Sequence, residues 1–233
     1  MTNIIAIDGP ASSGKTILGY GLACKLGYRF LDAGMVYRTG VLVMKENNVS
    51  FDDTEGVVKV YSELDLRFRN DSERQVVFMG EGHEDIYSKL YTPQITEMVK
   101  IVGAHPLVRK EVRRQQKRFV HESNVVMVGR DVGTEVFPNA RLKLYLTAND
   151  EVRAIRRHLE LLSQGVNIGY GEVLLKIRTR DEHDRNRKAS PMRIPPDAIH
   201  LDTSNIDIEM AQRKLFEIFC EKFQMKEGKI RVC

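Results

Sequence analysis

The segment GPASSGKT, residues 9–16, has the spacing G-x-x-x-x-G-K-[ST] and stands between an apolar run and a segment with helical periodicity. In that setting, backbone N–H groups of the loop surround phosphate oxygens at the positively polarised start of a helix. Lys15 would reach the β- and γ-phosphates of a nucleoside triphosphate, and the Thr16 hydroxyl would bind Mg²⁺. The segment therefore predicts a phosphate-binding loop formed by Gly9, Pro10, Ala11, Ser12, Ser13, Gly14, Lys15 and Thr16.

Arginines provide a second chemical signal. Phosphoryl transfer between two anions requires cationic groups that hold both reactants and neutralise the charge spreading over the transferred group. Any one arginine could be an ordinary surface residue, but a set at separated points favours transfer, and we find no switch features typical of regulatory GTPases or motor ATPases. The set consists of Arg38, Arg109, Arg130, Arg153, Arg156, Arg157, Arg180, Arg185 and Arg187.

Three of these arginines occur in informative local patterns. Arg130 and Asp131 follow the apolar run VVMV at 125–128, and ligands of parallel sheets bind just beyond the carboxyl ends of such strands. Arg180, Asp184 and Arg187 are spaced i, i+4 and i+7, which places them on one face of a helix. Such a face could bind phosphate and ribose, or it could form a surface salt bridge worth a few tenths of a kcal/mol.

The elements that must position these residues follow from the hydrophobic pattern. Apolar runs alternate with helix-period segments, which predicts an α/β fold with a parallel sheet covered on both faces. Residues 64–80 break this pattern, because they resemble two alternating strands around a polar turn at Asn70, Asp71 and Ser72. We interpret this hairpin as part of an inserted subdomain. The predicted sheet strands are at 4–7, 29–31, 125–128, 142–146 and 198–201.

Composition limits the class of protein. The chain has 233 residues and a formal net charge of +4, and no apolar stretch approaches the ~18 residues of a membrane span. Its start is not a secretory signal. Cys24, Cys220 and Cys233 are an odd number without a CxxC pair, which favours a reducing compartment over a disulfide framework. We expect a cytoplasmic protein without a zinc site.

Basic residues are concentrated at 109–118 and 176–193. These runs could be solvated helix faces, a nucleic-acid surface, or arginines directed at phosphates of a small molecule. Binding of RNA through 109–118 would predict a steep loss of affinity with salt, but the sequence contains no RNA-recognition module. Nucleic acid is therefore not an expected partner.

Five segments occur in the order and spacing of a known family: IDGPASSGKT, FLDAGMVYR, GRDVGTEVFP, RAIRRHLEL and IRTRDEHDRNR. From about Ile4 to about Phe223, the sequence resembles the bacterial cytidylate kinases, which are P-loop nucleoside monophosphate kinases. The resemblance implies transfer of the γ-phosphoryl group of ATP to CMP or dCMP with Mg²⁺, often by a monomer.

The resemblance also implies an architecture and a set of parts. It implies a P-loop NTPase-type parallel five-stranded sheet flanked by helices, with an inserted nucleotide-binding subdomain and a helical lid. All of residues 1–233 would then form one kinase domain. The core would be about 1–60, 124–150 and 195–225, the inserted part about 61–123 and the lid about 151–194.

Residue roles are implied by the same resemblance. Asp131 would accept a hydrogen bond from the cytosine amino group, and Arg153 and Arg157 would close on the ATP phosphates and exclude water. The catalytic set would be Lys15, Arg130, Arg153 and Arg157, and the acceptor would be bound by Arg38, Arg109, Arg130, Asp131, Arg180, Asp184 and Arg187. Mg²⁺ would be held by Thr16 and, through water, by Asp32, with Asp8 as an alternative carboxylate.

Four positions depart from the family pattern. Ala33 stands where a hydroxyl is usual, Tyr91 where an arginine is usual, and Lys100 where a serine helps to read the base. Val128 replaces the acid that usually precedes Gly-Arg-Asp, which predicts Mg²⁺ binding weakened by ~10-fold. Lys100 motivates the alternative of a different acceptor. Val128 and Ala33 motivate a nucleotide-binding protein that is catalytically weak, although the intact loop and arginine set argue against it.

Overall fold

The structure is a computed structural model that describes residues 2–71, 75–81, 84–120 and 123–225. Its strands are β1 (Ile4–Asp8), β2 (Arg29–Asp32), β3 (Leu66–Asn70), β4 (Gln75–Met79), β5 (Val125–Gly129), β6 (Leu142–Thr147) and β7 (Ile199–Asp202). Its helices are α1 (Lys15–Leu26), α2 (Ala33–Glu46), α3 (Thr54–Glu63), α4 (Tyr87–Leu90), α5 (Pro93–Val102), α6 (Pro106–Val120), α7 (Asp150–Ser163), α8 (Tyr170–Asn186) and α9 (Ile208–Phe223). A π-helical turn spans Val132–Val136.

Five strands form one parallel sheet in the order β2-β5-β1-β6-β7. Helices pack on both faces, and each face has its own core cluster. The predicted α/β fold and the predicted parallel five-stranded sheet are confirmed. Because the strands are parallel, the ends of β1, β2 and β5 lie at one edge, where ligands of such sheets bind.

Val128 faces the helix that follows the phosphate loop. It is 1% exposed and lies in the same apolar cluster as Leu18 of α1. A Cβ added to Gly19 would lie 2.5 Å from Val128 Cγ1 and 3.3 Å from Phe30 Cε2. Gly19 therefore lets α1 approach the sheet, and the Val128 methyl group fills the space that the missing Cβ leaves.

We expect Gly19→Ala to lower the free energy of unfolding by about 1–3 kcal/mol, because overpacking outweighs the gain in helix propensity. Gly21→Ala is the matched control in the same helix. Its Cβ would meet only the amide end of the Gln212 side chain, at 2.7 Å, and that side chain can rotate away. Gly21→Ala should be neutral or stabilising by up to about 1 kcal/mol. Urea denaturation of both variants checks this, and equal effects would contradict the packing argument.

The hairpin between α3 and α4 is separate from the sheet. β3 and β4 pair antiparallel, from Leu66 opposite Met79 to Asn70 opposite Gln75, as the alternating pattern predicts; Ser72 of the expected turn lies outside the described residues. The buried Gln75 side chain donates to the Phe30 carbonyl and accepts from the Asp32 N–H. Gln75 thus satisfies backbone groups at the free edge of β2. Across the described ranges, we find no helix long and apolar enough to span a membrane.

Candidate active site

The phosphate-binding loop connects β1 to α1 in a conformation that requires glycine at two points. Gly9 and Gly14 have φ values of 151° and 89°, and a Cβ on Gly9 would lie 2.0 Å from the Leu146 carbonyl oxygen. The loop therefore passes directly over the end of β6. Its last residues lead into α1, whose N-terminal N–H groups and dipole favour an anion.

Lys15 is the buried cation of this loop. It is 6% exposed, and its Nζ donates to the Pro10 carbonyl and to Ser13 Oγ, the latter at 3.2 Å. Burial, and then the charge of Arg130, hold the pKa of Lys15 well below its usual range. The negative charge of a polyphosphate bound beside Lys15 would favour the charged lysine and so oppose both effects on its pKa. The phosphate loop and the turn after β5 are adjacent, because Asp8, directly before the loop, accepts from the N–H groups of Val132 and Gly133.

Thr16 and Asp32 form the oxygen-rich part of the site. Thr16 Oγ1 donates to Asp32 Oδ2 at 3.1 Å, while Asp32 Oδ1 accepts from the Gly34 N–H at 2.9 Å and so caps α2. Asp32 is opposite Val128 in the sheet, so the buried valine provides no oxygen there. A hydroxyl and a carboxylate fit Mg²⁺, which prefers oxygen ligands and is often bound by only one or two carboxylates with waters.

A cluster of arginines surrounds Asp184, which is 1% exposed. Its carboxylate accepts from Arg130 Nε, Arg180 Nε and Arg187 Nη1, each at 3.2 Å. Burial acts to raise the pKa of Asp184, but these three guanidinium groups overcome it and hold the pKa below its usual value. Arg180 and Asp184 lie in α8 at the predicted i, i+4 spacing, but Arg187 is the extended residue directly after that helix and reaches Asp184 from there. Arg130 comes from the turn after β5.

Asp131 extends the same cluster. Its Oδ2 accepts from Arg109 Nη1 at 2.9 Å, and its Oδ1 lies 3.6 Å from Arg187 Nη2. Arg109 is fixed by a second bond, from its Nε to the Gly103 carbonyl at 2.6 Å. Four guanidinium groups therefore face two carboxylates. We refer to Arg109, Arg130, Asp131, Arg180, Asp184 and Arg187 as the arginine cluster, and its surplus positive charge suits an anionic ligand.

Arg38 lies beside the arginine cluster without a direct bond to it. Its Nη1 donates to the Leu90 carbonyl and to Thr96 Oγ1, both at 2.9 Å. Its guanidinium carbon is 4.5 Å from the centre of the Tyr91 ring, so this departure from the family pattern provides a stacking surface for Arg38. Burial chiefly lowers the pKa of Arg38, and nearby positive charges, including that of Arg180, add to this.

The two arginines predicted to close on ATP are engaged with protein groups. Arg153 is buried, and its Nη1 donates to the Ala11 carbonyl at 2.9 Å and to Asp181 Oδ2 at 2.5 Å. Arg157 pairs with Glu160 at 2.7 Å. Arg153 therefore holds the phosphate loop in place, and contact of either guanidinium with ATP stays a prediction.

Two buried aspartates have roles that the sequence reasoning did not assign. Asp181 accepts from the Ala11 N–H at 3.1 Å and, with Arg153, fixes both backbone groups of that loop residue. Asp8 accepts from the N–H groups of Val132 and Gly133. The sequence signal for Asp181 is its place directly after Arg180 in R-D-x-x-D, and the signal for Asp8 is its place at the end of an apolar strand. Neither pattern predicts which group the carboxylate bonds to.

Lys100, which motivated the alternative of a different acceptor, forms an ion pair with a carboxylate of its own helix, α5. Its Nζ bonds to both carboxylate oxygens of Glu97, at 2.9 and 2.7 Å. Ala33 is buried, and its carbonyl accepts from Gln116 Nε2 at 3.3 Å. These two departures therefore add neither a free cation nor an unpaired backbone carbonyl to the site.

Comparison with known proteins decides the family. The sequence pattern of the cytidylate kinase family matches residues 5–221. The chain belongs to the cytidylate kinase family. It is 41% identical over 218 residues to the cytidylate kinase of Carboxydothermus hydrogenoformans, covering 94% of this chain and 97% of that protein. It is 38% identical over 215 residues to that of Caldicellulosiruptor bescii, covering 92% and 94%.

A solved structure is similar in fold alone. It is that of an uncharacterized protein from Eubacterium ventriosum, with a TM-score of 0.51 and 11% identity over 93% of this chain and 98% of that one. The family match confirms the resemblance inferred from the sequence segments.

Proposed function

We propose that the protein transfers the γ-phosphoryl group of ATP to CMP or dCMP, forming ADP and CDP or dCDP. The observation that carries this proposal is that α8, which contains Arg180 and Asp184 of the arginine cluster, is bonded to the phosphate loop, since Asp181 accepts from the Ala11 N–H at 3.1 Å. A donor site and an anionic acceptor site thus adjoin at one edge of the sheet. Membership of the cytidylate kinase family supports the same reaction.

Different residues would bind the donor, ATP, and the acceptor nucleotide. The phosphate loop and Lys15 would bind the ATP phosphates, and Arg130, Arg180, Arg187 and Arg38 would hold the acceptor phosphate in line with them. Arg130 would stabilise charge on the transferred group, because it follows Gly129, which is paired with Asp8 directly before the phosphate loop. Thr16 and Asp32 would hold Mg²⁺, which when bound neutralises charge on the phosphates.

Base recognition would fall to Asp131 and Arg109. A carboxylate accepts from the amino group of cytosine, whereas uracil presents an acceptor at the same position. The bond from Arg109 to Asp131 fixes the carboxylate in one orientation. We further propose that residues of about 61–123 and 151–194 close over the nucleotides to exclude water, and that the protein works as a monomer in the cytoplasm.

The proposal is tested by kcat/KM for ATP with Mg²⁺ and a panel of CMP, dCMP, UMP, AMP and GMP. We expect CMP and dCMP to be preferred over the purine nucleotides by at least ~10²-fold, since unpaired polar groups reject a wrong base strongly. A preference for another acceptor would contradict the proposed substrate.

We expect Asp131→Asn to reduce the ratio of kcat/KM for CMP to that for UMP by about 10- to 100-fold, because the amide offers a donor that suits uracil. The KM for ATP should stay within about 2-fold, since ATP binds the other loop. Steady-state kinetics with both acceptors measure this. Asp65→Asn, in an exposed pair with Arg67, is the control. An unchanged ratio would remove Asp131 from base recognition.

A further inference from the structure

Asp8 is a buried carboxylate that the proposed reaction does not use directly. It is the last residue of β1, it is 0% exposed, and Gly9 of the phosphate loop follows it. Its Oδ1 accepts from the Val132 N–H at 2.9 Å, and its Oδ2 accepts from the Gly133 N–H at 2.7 Å, 124 and 125 residues later in the chain. Asp8 therefore joins the donor loop to the turn that carries Asp131.

These two N–H groups belong to the first residues of the π-helical turn Val132–Val136. The N-terminal N–H groups of a helix lack partners inside it, and an aspartate at the cap position ordinarily accepts from them. Asp131 occupies that cap position, yet its side chain makes no capping bond. Asp8 supplies the cap in its place, and the Asp131 carboxylate is left to bond with Arg109.

The local packing matches this arrangement. A Cβ on Gly133 would lie 3.3 Å from Asp8 Oδ2 and 3.0 Å from Pro195 Cγ, so a side chain there would crowd the cap. Burial is the main cause that raises the pKa of Asp8 to about 6, and the two backbone bonds oppose it. Burying this carboxylate therefore costs stability, which fits a residue whose role is to hold the turn after β5 in place.

We propose that Asp8 is a positioning residue for base recognition: it caps the π-helical turn and thereby leaves the Asp131 carboxylate facing the acceptor base. This inference rests on the proposed function. If the cap were lost, the Asp131 side chain could rotate to cap its own turn, as an aspartate at that position usually does. Asp131 would then leave Arg109, and cytosine would lose its acceptor.

The test is Asp8→Asn, which keeps the size of the side chain but turns an amide donor toward one of the two N–H groups. We expect the ratio of kcat/KM for CMP to that for UMP to fall by about 10-fold, near the cost of one lost base contact. The KM for ATP should change by less than about 3-fold. Asp207→Ala is the control, since Asp207 caps α9 by accepting from the Met210 N–H. That variant should lose stability without a change in the ratio.

A double-mutant cycle separates positioning from general damage. If Asp8 acts through Asp131, then Asp8→Asn combined with Asp131→Asn should show the same base ratio as Asp131→Asn alone. Additive effects, or an unchanged ratio in Asp8→Asn, would overturn the inference. Gly133→Ala provides a second route if Asp8→Asn fails to fold, because it crowds the same cap and should lower the ratio too; an unchanged ratio there would also overturn it. Wild-type protein that does not prefer CMP would remove the proposed function, and this inference with it.

Discussion

Replacing Lys15 with methionine is expected to lower kcat for phosphoryl transfer by about 10³-fold, because the variant loses the cation that meets the β- and γ-phosphates. Burial holds the pKa of Lys15 well below its usual range, so the charged form is less favourable in the folded protein than in the unfolded chain. An apolar side chain of similar length should therefore leave the free energy of unfolding unchanged or higher at pH 7. The prediction combines lost activity with undiminished stability.

A coupled assay of ADP formation and a urea titration measure the two quantities. The matched control is Lys45→Met, since Lys45 is an exposed lysine that bonds to Gln94 at 2.7 Å. That variant should retain the activity and stability of the wild type. Activity of Lys15→Met within about 10-fold of the wild type would show that another group performs the role assigned to Lys15.

The second large effect is expected for Asp184→Asn. Arg130, Arg180 and Arg187 would then repel one another without the carboxylate between them. Removing one charged partner of a buried ion pair costs about 3–5 kcal/mol of stability. The KM for CMP should also rise by about 10²-fold, because the guanidinium groups that hold the acceptor phosphate lose their common anchor.

The pKa of Asp184 also determines how the free energy of unfolding changes with pH. The pKa of Asp184 lies below its ordinary value of 3.8 in the folded protein, because the three guanidinium groups outweigh burial. The resulting stability is present above that ordinary value and is lost as the pH falls through the folded pKa. Unfolding free energy of the wild type should therefore decline below about pH 4, and that of Asp184→Asn should decline less steeply. Asp65→Asn, in an exposed pair with Arg67, should change stability by at most about 0.5 kcal/mol.

The sequence allowed the sheet, the phosphate loop and the Arg180–Asp184 pair to be predicted, because each depends on local periodicity or spacing, whereas Arg187 lies just beyond the end of α8. An apolar run predicts a buried strand, and residues spaced i, i+4 and i+7 lie on one side of a helix. Contacts between distant segments were not accessible in this way. The bonds from Arg130 to Asp184 and from Asp8 to the turn after β5 exist only because the fold brings those segments together.

Val128 and Arg153 illustrate two further limits. Val128 stands in place of the family's carboxylate, and the sequence does not reveal that its methyl group also occupies the space above Gly19, 109 positions earlier in the chain. For Arg153, the family resemblance implies closure on the ATP phosphates. Its bonds to Ala11 and Asp181 depend on the approach of α7 and α8 to the phosphate loop, which spacing alone does not reveal.

The central claim is that phosphate moves directly from ATP to a cytidine monophosphate bound by the arginine cluster. It is tested most directly with ATP labelled at its γ-phosphate, incubated with Mg²⁺, an equal mixture of CMP and UMP, and either wild-type protein or Lys15→Met. Chromatography of the products follows the label. We predict that the label enters CDP with the wild type and stays in ATP with the variant. Label found only in free phosphate, or in UDP ahead of CDP, would contradict the proposed function.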